Sequence, residues 1–159
     1  MDVGTRREEL QQLVECGPEA CFEAFLRDVW VGGGGLGPFG PITTRILEKG
    51  DPVTGEGSIR IVPGGIQEEI LAASRGQFIE YHVAKGPFPV SYHRGRVEFV
   101  AVSSTDSSAS TMVTWSCSYT PFFLLGPVLG VVIRNGFSIM LRHLATCVQC
   151  QAETPSLEK

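Results

Sequence analysis

The stretch Tyr81–Val100, "YHVAKGPFPVSYHRGRVEFV", decides the fold. It holds two runs of alternating apolar and polar residues, joined by Gly86-Pro87-Phe88-Pro89. Alternation with period two predicts a half-buried strand on each side, and the Gly/Pro cluster predicts the turn between them. It also sorts side chains by face, because successive strand residues point to opposite sides. In the second run Val97, Phe99 and Ala101 share a face with His93 and Gly95. That face is expected to look into the core, with Arg94, Arg96 and Tyr92 toward water. In the first run Tyr81 goes inward with Ile79 and Val83, and His82 goes outward with Glu80.

Working outward, four more runs have the same character: "TTRILEKG" (43–50), "GSIRIVPGG" (57–65), "IQEEILAASRG" (66–76) and "STMVTWSCSYTP" (110–121). In the last of these Thr111, Val113, Trp115, Cys117 and Tyr119 form the expected inner face. The polar "SSTDSSAS" before it predicts a loop. Upstream, "REELQQLVEC" (7–16) predicts a further strand. "PEACFEAFLRDVW" (18–30) places Phe22, Phe25, Leu26 and Val29 at helical spacing, with Pro18 and Glu19 in the first turn where both are favourable. Downstream, the spacing predicts a long helix over 127–149. Its core face would carry Leu129, Val132, Ile133, Gly136, Phe137, Met140, Leu144 and Cys147, and its other face Arg134, Ser138, Arg142 and Gln149. "AETPSLEK" reads as a polar tail.

Between the first helix and the strands lies "VGGGGLGPFGP" (31–41). The entropy of consecutive glycines argues against a helix or a paired strand there, so a loop is expected. A phosphate-binding loop needs a Gly-Lys-Ser/Thr ending and a following helix, and both are missing.

The composition is globular, with 43% hydrophobic and 19% charged residues. Residues 1–159 read as a single domain with an ordered core of about 8–150. A net charge of −4 disfavours a nucleic-acid partner. "MDVGTRREELQQ" lacks the apolar run of a secretory leader, and "FFLLGPVLGVVI" stops at Arg134, short of the ~20 residues of a membrane span. Neither a span nor a leader is expected, and the odd number of cysteines leads to the expectation of a reducing, cytoplasmic compartment. The five cysteines are an odd number, and most of them read as small buried hydrophobes rather than as a disulfide framework. Cys147 and Cys150 form a CxxC inside the predicted helix, without a second pair to complete a zinc set. The three histidines, His82, His93 and His143, have no metal-ligand spacing. No metal and no cofactor is called for.

"EKGDPVTGEGSIRIVPGGIQEEILAAS", "FIEYHVAKGPFPVSYHRGRVEFV" and "STMVTWSCSYTP" together resemble the polyketide cyclase/dehydrase branch of the SRPBCC superfamily, the START-like, helix-grip proteins. The shared features are Gly-x-Gly-x-Ile-Arg ending at Arg60, Glu69-x-Leu71, Tyr81-x-Val83 followed by Gly86-Pro87, and Thr-x-Val-Thr-Trp through Trp115. The resemblance runs from about residue 8 to 150. It implies an α+β helix-grip fold: a curved antiparallel sheet of six to seven strands around a long C-terminal helix, with a short N-terminal helix. It also implies binding of a lipid, sterol, polyketide or plant hormone, with cyclase or aromatase activity in a minority. A second short helix usually follows the first in such proteins, and here the Gly-rich stretch 32–40 takes its place.

A sheet curved round one helix often leaves a cavity, and apolar cavities are the usual small-molecule sites. The expected lining of a cavity between sheet and C-terminal helix is Tyr81, His93, Trp115, Tyr119, Phe137 and Met140, with Phe88 and Phe123 at its rim. Arg60 and Glu69 could pair on the sheet surface or enter the cavity as polar anchors. Three functions stay open on the sequence. The first is a binder of a hydrophobic small molecule. The second is an acid–base cyclase using His93, Tyr81, Tyr119 or Glu69. The third is a protein-interaction domain using the exposed aromatics.

Overall fold

The computed structural model describes residues 4–37, 40–102 and 108–152. Residues 103–107 of the expected polar loop and 153–159 of the expected tail lie outside them. Strand β1 (Arg6–Val14) leads to helix α1 (Pro18–Ala24), which continues as a π-helical segment, Phe25–Val31. Two residues each form β2 (Leu36–Gly37) and β3 (Gly40–Pro41). Then follow β4 (Arg45–Glu48), β5 (Ile59–Val62), β6 (Ile66–Ser74), β7 (Phe78–Lys85), β8 (Val90–Val102) and β9 (Ser110–Pro121). A 3-10 turn, Phe123–Leu125, opens onto helix α2 (Gly126–Ala152).

Strands β4 to β9 and β1 make one seven-stranded antiparallel sheet in the order β1-β9-β8-β7-β6-β5-β4. The α+β helix-grip architecture is thus the one formed. Each of the six alternating runs became a strand. The Gly-rich link departs from expectation, because Leu36–Gly37 pairs with Gly40–Pro41 in a minimal ladder. Its glycines serve close approach: at Gly34, φ +78°, a Cβ would sit 2.6 Å from Met140 Cγ on α2.

The inner face of the sheet carries Ile79, Tyr81, Val97, Phe99, Val113, Trp115, Cys117 and Tyr119, all buried. The outer face carries ion pairs: Arg94 and Arg96 reach Glu80 at 3.6 and 3.2 Å, and His82 reaches Glu69 at 3.2 Å. Helix α2 buries Leu129, Ile133, Phe137, Leu141, Leu144 and Val148. Val132, assigned to that face from the sequence, is 57% exposed. At about 100° per residue it stands about 140° round the helix from Phe137, outside the buried arc.

The space between sheet and α2 is filled by rings. Trp115 stacks on Phe137 at 4.5 Å and donates its Nε1–H to the Tyr81 hydroxyl at 2.8 Å. Tyr81 meets Trp30 edge to face at 5.8 Å. Tyr81 can lie flat on β8 only because Gly95 stands opposite it in the ladder. A Cβ at Gly95 would fall 2.2 Å from Tyr81 Cζ.

Gly95→Ala is therefore expected to destabilise the protein by about 1–3 kcal/mol, the range for overpacking a filled core. The same substitution should cost clearly less in a Tyr81→Leu background. Denaturant unfolding of the four proteins of this cycle checks the pair.

Candidate functional site

A cavity of about 700 Å³ opens beside the grip, between the first helical unit and the loop that joins β4 to β5. Leu26, Trp30 and Val31 of the π-helical segment form one wall, and Ile46, Pro52 and Val53 face them. Ser58 closes the floor, accepting the Trp30 Nε1–H at 2.9 Å. The loop wall is held in shape by Asp51. One of its carboxylate oxygens accepts the backbone N–H groups of Val53 and Thr54 at 2.9 and 2.8 Å. These bonds lower the Asp51 pKa, those of Thr54 first. Gly55, φ +76°, brings the loop onto the helix, since a Cβ there would lie 3.0 Å from Leu26.

Charges ring the opening. Arg27 holds Asp28 at 2.8 Å, and Arg75 of the β6–β7 turn holds Glu23 and, at 3.4 Å, Glu19. Lys49 also lines the cleft and has no ion-pair partner among the described residues.

None of the ten residues singled out from the sequence lines this cleft. Tyr81, Trp115 and Phe137 form the ring stack, and Met140 packs against the core beside Gly34. Tyr119 is fully buried, and its hydroxyl donates toward Glu8 and the Gly126 carbonyl, each at 3.3 Å, fixing the start of α2 on β1. Arg60 and Glu69 do not pair. The ladder sets Arg60 opposite Glu68 and Ile59 opposite Glu69, so the two residues face opposite sides of the sheet. Arg60 points inward with its side chain 2% exposed, and binds Glu68 at 2.7 Å. Its Nη1 donates to the carbonyls of Val29 and Trp30 at 3.0 and 3.2 Å, and its guanidinium lies 4.1 Å over the Trp30 ring. Glu69 sits outside with His82.

Phe88 and His93 line a separate pocket of about 180 Å³ at the other end of the strands. There the β7–β8 ladder stops at Tyr81 and Gly95, and the Val83 N–H donates to His93 Nδ1 at 3.2 Å instead. An accepting Nδ1 means a neutral ring with its proton on Nε2. Burial pushes the His93 pKa down to about 4; Glu68 acts against that, and His82 and Arg94 add to it. The turns at 63–65, 86–89 and 122–125 gather at this end: the Phe122 N–H donates to the Pro89 carbonyl at 2.9 Å, and Gly86 lies on Gly65. Phe123 is 82% exposed there. Tyr81, His93, Tyr119 and Glu69, the groups an acid–base enzyme would use, thus share no cavity among those described. The signal for the cleft was Trp30 closing an amphipathic helix, together with the Asp/Pro/Gly cluster of 50–57.

No family model and no curated protein matches the chain in sequence. Solved structures match in shape. The protein XoxI from Bacillus cereus superposes with a TM-score of 0.65 at 16% identity, covering 94% of this chain and 99% of its own. A protein from Nitrosospira multiformis gives 0.65 at 18% identity, covering 94% and 100%. Ara h 8.0201 gives 0.64 at 16% identity, covering 92% and 99%. The fold is the START-like helix grip.

Two outcomes are expected from this geometry. Arg60→Met leaves Glu68 without its partner and should cost about 3–5 kcal/mol, while adding Glu68→Leu should recover a large part of it; urea melts measure both. His93 binds no proton in the folded protein until the pH nears 4, whereas an unfolded histidine protonates near its ordinary 6.5. The unfolded state therefore holds more protons between those values, so stability falls as pH drops through that window. The loss is on the order of 3 kcal/mol. His93→Phe should flatten that part of the stability–pH curve, whatever it costs at neutral pH.

Proposed function

We propose that this helix-grip chain binds a small hydrophobic molecule with an anionic end in the cleft between the π-helical segment and the β4–β5 loop. Proteins of this fold commonly bind hydrophobic ligands. The observation that carries the reading is the cleft itself. Its volume of about 700 Å³ suits a drug-sized or fatty-acid-sized molecule, and Leu26, Trp30, Ile46 and Val53 supply apolar walls. Lys49 supports the anionic end: its ammonium has no acidic partner among the described residues, unlike Arg27 and Arg75. The filled interior moves the expected binding place from the gap under α2 to the flank of α1.

Dodecanoate, titrated by calorimetry or by displacement of an anionic naphthalene dye, should bind saturably with one site per chain. Val53→Arg, at a position already 55% exposed, should weaken it on the order of tenfold without lowering the melting temperature. Lys49→Glu should weaken dodecanoate several-fold more than dodecanol. Affinity unchanged by Val53→Arg would place the ligand elsewhere and end the proposal.

A further inference from the structure

The segment from Phe122 to Val132 exposes seven large apolar side chains in succession. Phe122 is 45% exposed, Phe123 82%, Leu124 85%, Leu125 42%, Val128 62%, Val131 60% and Val132 57%. Seven such side chains within eleven residues form a concentration of exposed apolar surface that marks a contact site rather than ordinary scatter. Phe123 holds φ at +54°, a left-handed backbone that side chains other than glycine rarely adopt. The tie from the Phe122 N–H to the Pro89 carbonyl and the start of α2 on either side hold that conformation. The strained residue thus presents a bare ring to solvent, where packing offers nothing in return.

Helix α2 continues the patch. Its buried residues centre on Phe137, and at 3.6 residues per turn Val128, Val132, Asn135, Ile139 and Arg142 fall on the opposite, outward stripe. From Pro121 to Gln151 the chain carries no Asp or Glu, and its charged residues are Arg134 and Arg142. Arg134 is paired with Glu8, while Arg142 has no ion pair among the described residues. Arg6 borders the same turn, its side chain within 2.8 Å of where a Gly126 Cβ would be. An apolar tip and a helix face whose own charged side chains are cations, with the neighbouring Glu8 engaged by Arg134, is complementary to an anionic lipid surface. A second copy of the chain fits less well. Its same face brings no acid to meet Arg142, and Phe123 and Leu124 project at the end of the helix rather than lie flat along it.

We propose that Phe122–Leu125 and the outward face of the first turns of α2 dock the protein on an anionic bilayer, with the Phe123-Leu124 tip inserted among the acyl chains.

Co-sedimentation of the full chain with phosphatidylcholine vesicles, with and without phosphatidylserine, tests this. The wild type should pellet with the mixed vesicles, less with phosphatidylcholine alone, and less at high salt. Phe123→Ser with Leu124→Ser should lower vesicle affinity on the order of tenfold or more with an unchanged melting temperature. Val132→Gln, about two turns beyond the tip, is a second variant that reads the helix face without touching the strained residue, and it should also weaken binding. Arg142→Glu should weaken binding to the phosphatidylserine vesicles only. Failure of the wild type to pellet with either vesicle overturns the proposal. So does pelleting unaffected by the tip and Val132 variants, or a dimer in sedimentation equilibrium that the tip variant splits.

Discussion

The buried guanidinium of Arg60 is the constraint around which the rest is arranged. A charge with 2% side-chain exposure is costly unless every part of it is answered. Here the answers come from three directions. Glu68 takes Nε and Nη2 across the β5–β6 ladder at 2.8 and 2.7 Å. The Val29 and Trp30 carbonyls take Nη1. The Trp30 ring covers the face, where a cation meets the negative side of the π system. Those carbonyls lie in the last turn of the helical unit, where Val29 also accepts the Gly33 N–H at 3.3 Å and Thr44 donates to the Val31 carbonyl at 2.8 Å. One arginine therefore fastens the end of the first helical unit to the sheet. That fixes Trp30, and Trp30 is both the start of the ring stack and a wall of the cleft.

From Trp30 the packing runs through Tyr81 and Trp115 to Phe137, so α2 is held by aromatic contact rather than by a ring of aliphatic residues round an empty middle. Buried area of this kind is the main favourable term in folding, and a void there would forfeit it. The cleft opens at the side of this ring-packed grip, where the β4–β5 loop stands off the helix at the distance set by Gly55 and Leu26. The same logic explains the free thiols: Cys21 and Cys117 are buried packing atoms, and burial raises the pKa of both.

Strands and helices were legible because their signal is periodic and local. Alternation placed Tyr81 and Trp115 inward and His82, Arg94 and Arg96 outward, and the fold agrees at each. Arg60 shows where that legibility ends. Its partner depends on register, which depends on the turn: Val62 opposite Ile66 puts Arg60 opposite Glu68, and a slip of one residue would have given Glu69 and the other face. The cleft was legible only as two separate walls, the helix ending at Trp30 and the turn cluster of 50–57, and not as their meeting. It arises from a loop folding back on a helix more than twenty residues away, and neither Leu26 nor Val53 carries a pattern that announces the other. The halt of the β7–β8 ladder, with an imidazole taking the place of a backbone acceptor at Val83, is equally a matter of tertiary detail.

Helix α2 shows why hydropathy alone misjudges such a chain. Phe123–Ala152 is long and apolar enough to cross a membrane, with a mean hydropathy of 1.7 over its best window, yet only 33% of that window is buried. A helix that served only as a core would concentrate its apolar residues on the gripped arc and turn polar ones outward. Here Leu129, Ile133, Phe137, Leu141 and Leu144 satisfy the grip, while Val128, Val131 and Val132 stand on the far side with Phe123 and Leu124. The excess hydropathy is thus a second apolar face on an already committed helix. It costs solubility and adds nothing to the core. It lies at the end of the sheet away from the cleft, beyond the Arg6–Tyr119 pairing, while the cleft lies by the β6–β7 turn. Because the two features share no residue, the apolar end cannot be explained as the rim of the cleft.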